Sequence, residues 1–202
     1  AVGGVALLRI VRDIEPTSMH ARARTILGLR AKLDSDTIYR EIVENEYTLH
    51  TLPGTTELHA ASWQTNEWLA TDKQGGVVSY ERWGGIDPSK LLAEFSLERY
   101  AKWTLYRMEA RTLLLDDLSR RARRVAQLSI VVNVHGIGLA SRKCMPYIKE
   151  WAGGEAALTV PSSVRSITYF VGAGRIFASL INVGLNQFGS EHQKQTMQVL
   201  HS

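Results

Sequence analysis

The sequence predicts an α/β protein, with an N-terminal helical lobe followed by a lobe in which helices flank a mainly parallel sheet. Three observations predict it. Through the first third of the chain, apolar residues recur every three to four positions, the period of a helix. From residue 72 onward, short β-branched or aromatic runs alternate with longer amphipathic ones. And Leu128-Ser129-Ile130-Val131-Val132-Asn133-Val134 is apolar on both faces, as a central strand covered on both sides must be. A strand, a crossover helix and a second strand imply parallel pairing.

Each element follows in order. Residues 5–12 form a short apolar helix that stops before Pro16. Thr17 or Ser18 caps the next helix, whose stripe is Met19, Ala23, Ile26, Leu27, Arg30 and Leu33. Asp36 or Thr37 starts a third helix through Ile38, Ile42 and Val43. Residues 48–61, with Leu52-Pro53-Gly54-Thr55-Thr56, read as a linker or turn. Residues 72–76 are a turn, 77–82 a strand and 84–88 another turn. Ser96 caps a long helix to about residue 118, with Leu97, Ala101, Leu105, Met108, Thr112 and Leu115 on one stripe. A strand over 128–134, a helix over 141–151, a strand over 166–171, a helix over 175–185 and a short strand over 197–200 complete the chain. The expected division places the helical lobe at 1–60 and the α/β lobe at 61–202.

Bulk properties limit the function. With 202 residues, the chain is long enough for one large domain or a helical piece plus an α/β lobe. The hydrophobic fraction of 45% and charged fraction of 22% are those of folded globular chains, not disordered ones. No apolar run approaches the length of a membrane-spanning helix. The single Cys144 forms no internal disulfide and supports no zinc site built on paired cysteines. The net charge of +4 suits an anionic membrane and nucleic acid equally. The first residue is Ala1, so two readings stand: a trimmed numbering or a leader that has been removed.

Several motifs then occur in a specific order. Asp72-Lys73-Gln74-Gly75, with Tyr80-Glu81-Arg82-Trp83-Gly84-Gly85-Ile86-Asp87-Pro88, resembles the opening of a CRAL-TRIO lipid-binding domain, where a "DK-x-G-R-P-V" turn leads through a strand to a "G-x-ID-P" turn. Ser96-Leu97-Glu98-Arg99-Tyr100 resembles the start of that family's next helix. Ile130 to Leu139 is similar to its "I-x-D-x-x-G-[LI]-x-[LI]" strand and turn, Leu7 to Arg12 to its "LLRFLRA" lobe, and Leu52-Pro53-Gly54 to a segment of some members. The resemblance runs from about residue 6 to residue 202, where the family usually continues with a further helix and closing segment.

The resemblance implies an apolar pocket, floored by the sheet and closed by helices and a gate, that holds one lipid. Burying an acyl chain gains about 0.8 kcal/mol per methylene, so two chains bind tightly without polar contacts. It also implies site positions. Leu128 and Ile130 stand where the family has polar residues that face lipid, and Ser79 stands for a pocket tyrosine. Ser162 replaces a head-group acid and Thr196 a gate lysine, while Gly76-Val77 replaces "R-P", Asn133 the strand aspartate, and Phe170-Val171-Gly172 the "I-N-A". The framework is kept and the phosphatidylinositol head-group chemistry is not. Trp68, Phe177, Leu180, Ile181 and Phe188 either line the pocket or fill a collapsed one; periodicity does not separate the two.

Other candidates have plainer readings. Arg120, Arg121, Arg123 and Arg124 form a basic cluster that either meets anionic head groups or a protein partner, or is a solvated loop; near a membrane each charge is worth about 1 kcal/mol. No nucleic-acid recognition motif accompanies it. His135-Gly136-Ile137-Gly138 lacks the spacing of a phosphate-cradling loop and reads as a strand-to-helix turn. His50, His59, His135, His192 and His201 are scattered without metal-ligand spacing. Cys144, beside Met145, Ile148 and Trp151, reads as core, and Asp116-Asp117 as a solvated helix end. No catalytic residue, cofactor or metal is therefore expected.

Two functions remain: a protein that binds or transfers one lipid, touching membranes peripherally, or a non-catalytic scaffold subunit of a larger assembly on an organelle membrane. The eroded head-group positions, the short C-terminus and the non-methionine start favour the scaffold; the fold favours the lipid. The expected setting is intracellular, cytosolic and membrane-peripheral, with a mitochondrial interior as the alternative.

Overall fold

In the computed structural model, the described residues are 16–155, 159, 165–174 and 197–201. Helix α1 (Pro16–Lys32) starts at the proline itself, a favoured first helical residue because it needs no N–H partner there. Asp34, left-handed at φ 52°, turns the chain into α2 (Ser35–Glu44), which buries Ile38 and Ile42, one turn apart. Where a linker was expected, Thr55–Ala60 is a short helix, α3. The expected helix at 5–12 lies outside the described residues.

Strand β1 (Gln64–Thr71), not predicted by the sequence pattern, then pairs antiparallel with β2 (Val77–Arg82). The turn between them is held by Asp72, whose Oδ1 accepts from the backbone N–H of Gln74 at 2.8 Å and of Gly76 at 2.7 Å. Past Gly84–Gly85, helix α4 (Pro88–Glu94) is capped by Asp87, which accepts from Ser89 and Lys90. The long helix α5 (Leu97–Ala122) is capped by Ser96, as expected, and ends at Arg123 in a left-handed conformation. Strand β3 (Leu128–Asn133) follows. The expected single helix at 141–151 is two pieces, a 3-10 turn (Leu139–Cys144) and α6 (Met145–Gly153), with Pro146 in the first turn of α6. Strands β4 (Arg165–Ala173) and β5 (Met197–His201) close the described chain. The expected helix at 175–185 lies outside it.

The sheet order is β1-β2-β3-β4-β5, antiparallel at the first pair and parallel at the other three. The mainly parallel sheet and flanking helices are those the sequence predicts. One core serves helices and sheet alike, joining Ile38, Ile42, Leu52 and Leu58 to Trp63, Leu105, Ile130, Val132 and Phe170. Burial of each such side chain contributes about 1.5–3 kcal/mol.

Candidate functional site

Side chains alternate along a strand, so the sheet has two faces. Val77, Ser79 and Glu81 of β2, Leu128, Ile130 and Val132 of β3, and Thr168 and Phe170 of β4 share one face, and all are buried. Helices α5 and α6 lie against it, because Arg107 and Arg111 of α5 and Trp151 of α6 bond to β2 from that side. The register puts Val78, Tyr80, Ser129, Val131, Asn133, Ile167, Tyr169 and Val171 on the opposite face. All of these are only half-buried, and Leu200 of β5 remains 47% exposed. A ligand or partner could gain apolar contact area on this second face.

At the centre of the sealed face sits Glu81, fully buried. Its carboxylate accepts from Arg107 Nη2 at 2.6 Å, Trp151 Nε1 at 3.0 Å and Trp83 Nε1 at 3.0 Å, with Arg111 Nη2 at 3.7 Å. Burial by itself pushes the carboxyl up. The charges of Arg107 and then Arg111, with the hydrogen bonds from Trp83 and Arg107, outweigh it and hold the pKa at about 2. Arg111 also donates to Ser79 Oγ at 3.4 Å, and the Arg107 guanidinium stacks 4.9 Å from the Trp103 ring centre. Trp83, Trp151, Phe170, Trp63, Tyr100, Trp103 and Tyr147 pack around this group as a chain of edge-on and stacked rings.

Leu128 and Ile130, expected to face an apolar cavity, lie on the sheet face that α5 covers. Leu128 is 4% and Ile130 0% exposed, packed in the core beneath α5, with no water-sized space at Ile130. Ser79, expected on the pocket wall, is likewise sealed, beneath Arg111. The physical reason is that α5 projects two long cationic side chains, one turn apart, onto the strand positions expected to meet a ligand. Glu81, Arg107 and Arg111 were missed from sequence. The available signal was an (i, i+4) arginine pair on α5 facing a carboxylate in step with Val77 and Ser79 along β2.

The other expected site residues are placed as follows. All four arginines of the basic cluster are exposed. Arg121 pairs with Asp117 at 2.8 Å, Arg123 caps α5, and Arg124 lies over the β1–β2 turn, where its Nη2 would stand 2.2 Å from a Cβ on Gly75. The cluster is therefore partly engaged with its own fold. Trp68 is in β1, but its side chain is outside the described residues, as are Ser162, Phe177, Leu180, Ile181, Phe188 and Thr196. Cys144 is buried, and burial raises its thiol pKa, aided by the charge of Asp87. Among the described residues no three His, Cys, Asp or Glu side chains gather as a metal site, and no helix is long and apolar enough to cross a membrane. A cleft of about 590 Å³ opens between α2, α5 and α6. It is lined by Leu33, Ile38, Ala101 and Leu105 together with Asp34, Glu41, Glu150 and Glu155.

No protein-family model matches the chain, and no curated protein sequence does. Solved structures do. The crystal structure of Sfh5 aligns with 96% of this chain at a TM-score of 0.64 and 15% sequence identity. The fold is CRAL-TRIO-like. The chain spans 62% of the length of the Sfh5 chain, and at this identity the likeness is one of fold. Within that CRAL-TRIO-like frame, the wall beneath α5 is filled by the chain's own charged and aromatic side chains. Among the described residues, the apolar side chains of β2 to β4 on the opposite sheet face remain half-buried.

Proposed function

We propose that this chain binds one lipid, held against the half-exposed face of its sheet by its apolar body. The observation that carries the reading is the unequal closure of the two faces: Ile130 is 0% exposed, while its neighbours Ser129 and Val131 on the other side remain half-buried. A protein whose second face retained no function would gain by covering it, since uncovered apolar area forgoes about 25 cal/mol per Å². The likeness of fold to Sfh5 supports the lipid reading. In this reading Arg120 and Arg123, exposed at the end of α5, supply peripheral attraction to an anionic membrane.

Native mass spectrometry of the purified protein tests it. The expected result is a one-to-one lipid adduct that Val131→Arg removes without changing the far-ultraviolet circular dichroism. Protein that is free of lipid as purified, and takes none from mixed vesicles, overturns the reading. A second reading is a non-catalytic scaffold subunit of a larger assembly, favoured by the Glu81–Arg107–Arg111 network that fills the wall where the resemblance implies a pocket. Under it, the half-exposed face is covered by a protein subunit and Val131→Arg releases the chain from that assembly.

A further inference from the structure

The half-exposed face is not uniformly apolar. Its apolar part is Val78, Val131, Ile167, Tyr169 and Val171, and at the carboxyl ends of β2 and β3 it becomes polar. Arg82 sits directly across from Asn133, and Tyr80 directly across from Val131, on the same side by alternation. Asn133 Oδ1 accepts from the His135 backbone N–H at 2.9 Å, which fixes its Nδ2 to donate, and Nδ2 donates to the Tyr80 hydroxyl oxygen at 2.9 Å. The Tyr80 oxygen is thus an acceptor within the protein, and its own O–H proton is left to donate outward. Arg82 is exposed, and among the described residues it makes no ion pair. Its Nε would lie 3.1 Å from a Cβ on Gly85, at the end of the strand.

An apolar track that ends in one guanidinium and one oriented hydroxyl matches one ligand chemistry. We propose that the lipid is a long-chain carboxylic acid, its carboxylate held by Arg82 and the Tyr80 hydroxyl and its tail laid along Val78, Val131, Tyr169 and Val171. This rests on the lipid-binding reading above and narrows it. A carboxylate accepts two parallel N–H bonds from an arginine fork and keeps lone pairs for a phenol. A phosphoinositol head needs donors and acceptors for a ring of hydroxyls, which one arginine and one tyrosine do not supply.

Displacement of a fluorescent probe from delipidated protein, by palmitate and by hexadecanol, tests the proposal, because the two share a tail and differ in head. The expected result is that palmitate binds about 10- to 100-fold more tightly than hexadecanol. Arg82→Gln should bring palmitate to the level of hexadecanol and leave hexadecanol unchanged. Tyr80→Phe should weaken palmitate roughly fivefold. Because Arg82 is exposed, an unchanged urea midpoint for Arg82→Gln confirms that its fold is intact. If both ligands bind and neither substitution alters the preference, the carboxylate assignment is overturned while the lipid reading survives. If neither ligand binds wild type, the carboxylate assignment is overturned, and the lipid reading is judged by the lipid adduct in native mass spectrometry.

Discussion

The Arg107 guanidinium donates to the Glu81 carboxylate across 2.6 Å, and neither residue has more than 1% of its surface exposed. Each ion is sealed from water, and each is tolerable only because the other is there. Removing one partner of such a pair costs more than the pair contributes relative to an apolar substitute. Arg107→Met should therefore destabilise the protein by about 3–5 kcal/mol. Glu81→Gln, which leaves Arg107 and Arg111 facing each other across a neutral amide, should cost at least as much. Urea midpoints at constant slope measure both, and a loss below about 1 kcal/mol in either would contradict the geometry.

The same carboxylate sets a pH dependence. The folded pKa of Glu81, about 2, lies below its ordinary value of 4.5. A depressed carboxylate contributes stability that is present above the unfolded value and lost as pH falls through the folded one. Between pH 4.5 and 2 the protein should lose roughly 3 kcal/mol from this group. Glu109 acts in the opposite sense: burial raises its pKa against the pull of Arg30, so its contribution favours folding at lower pH. Urea unfolding across this pH range should show the acid loss in wild type and its absence in Glu81→Gln.

Adjacent residues on β3 should respond oppositely to the same substitution. Ile130→Arg places a third cation beside Arg107 and Arg111 in a dry core and should prevent folding, since an unpaired buried charge costs several kcal/mol. Val131→Arg points its charge out of the half-exposed face and should fold, losing bound lipid instead. Circular dichroism separates the two, and a folded Ile130→Arg would contradict the sealed face.

Two glycines give a steric contrast. A Cβ on Gly84 would lie 1.6 Å from the carbonyl oxygen of His135, a backbone atom that cannot rotate away. One on Gly138 would meet nothing within 4 Å. Gly84→Ala should cost at least about 2 kcal/mol, and Gly138→Ala should stay within about 0.5 kcal/mol. Thermal midpoints of the two variants provide the comparison.

The parallel strands were legible because their apolar runs are short, β-branched and bounded by turns: 77–82, 128–134, 166–171 and 197–200 each fall within two residues of an observed strand. The cap of α5 was legible because Ser96 precedes a long periodic stripe. Strand β1 was not, because Gln64-Thr65-Asn66-Glu67 carries little apolar alternation; it is held by pairing with β2 rather than by its own pattern. Helix α4 hid behind Asp87-Pro88, which reads as a turn and acts as a cap followed by a first helical proline. The orientation of Ile130 was illegible for a different reason. A strand apolar on both faces says nothing about which face a helix will cover, and that was decided by Arg107 and Arg111, some twenty residues upstream.

The connectivity of the sheet also governs how the chain reaches this structure. Among the described strands, only β1 and β2 join through a tight turn. Val77 finds its partner Leu128 about fifty residues away, across the whole of α5. Closing so long a loop costs entropy before any ladder bond forms in return. The hairpin and the helix can form on their own in microseconds, but the parallel pairings must wait for their encounter. The attraction of Arg107 for Glu81, felt before the surfaces dry, favours docking in the correct register. Slow, non-local assembly is thus the kinetic counterpart of a sheet whose strands are almost all parallel.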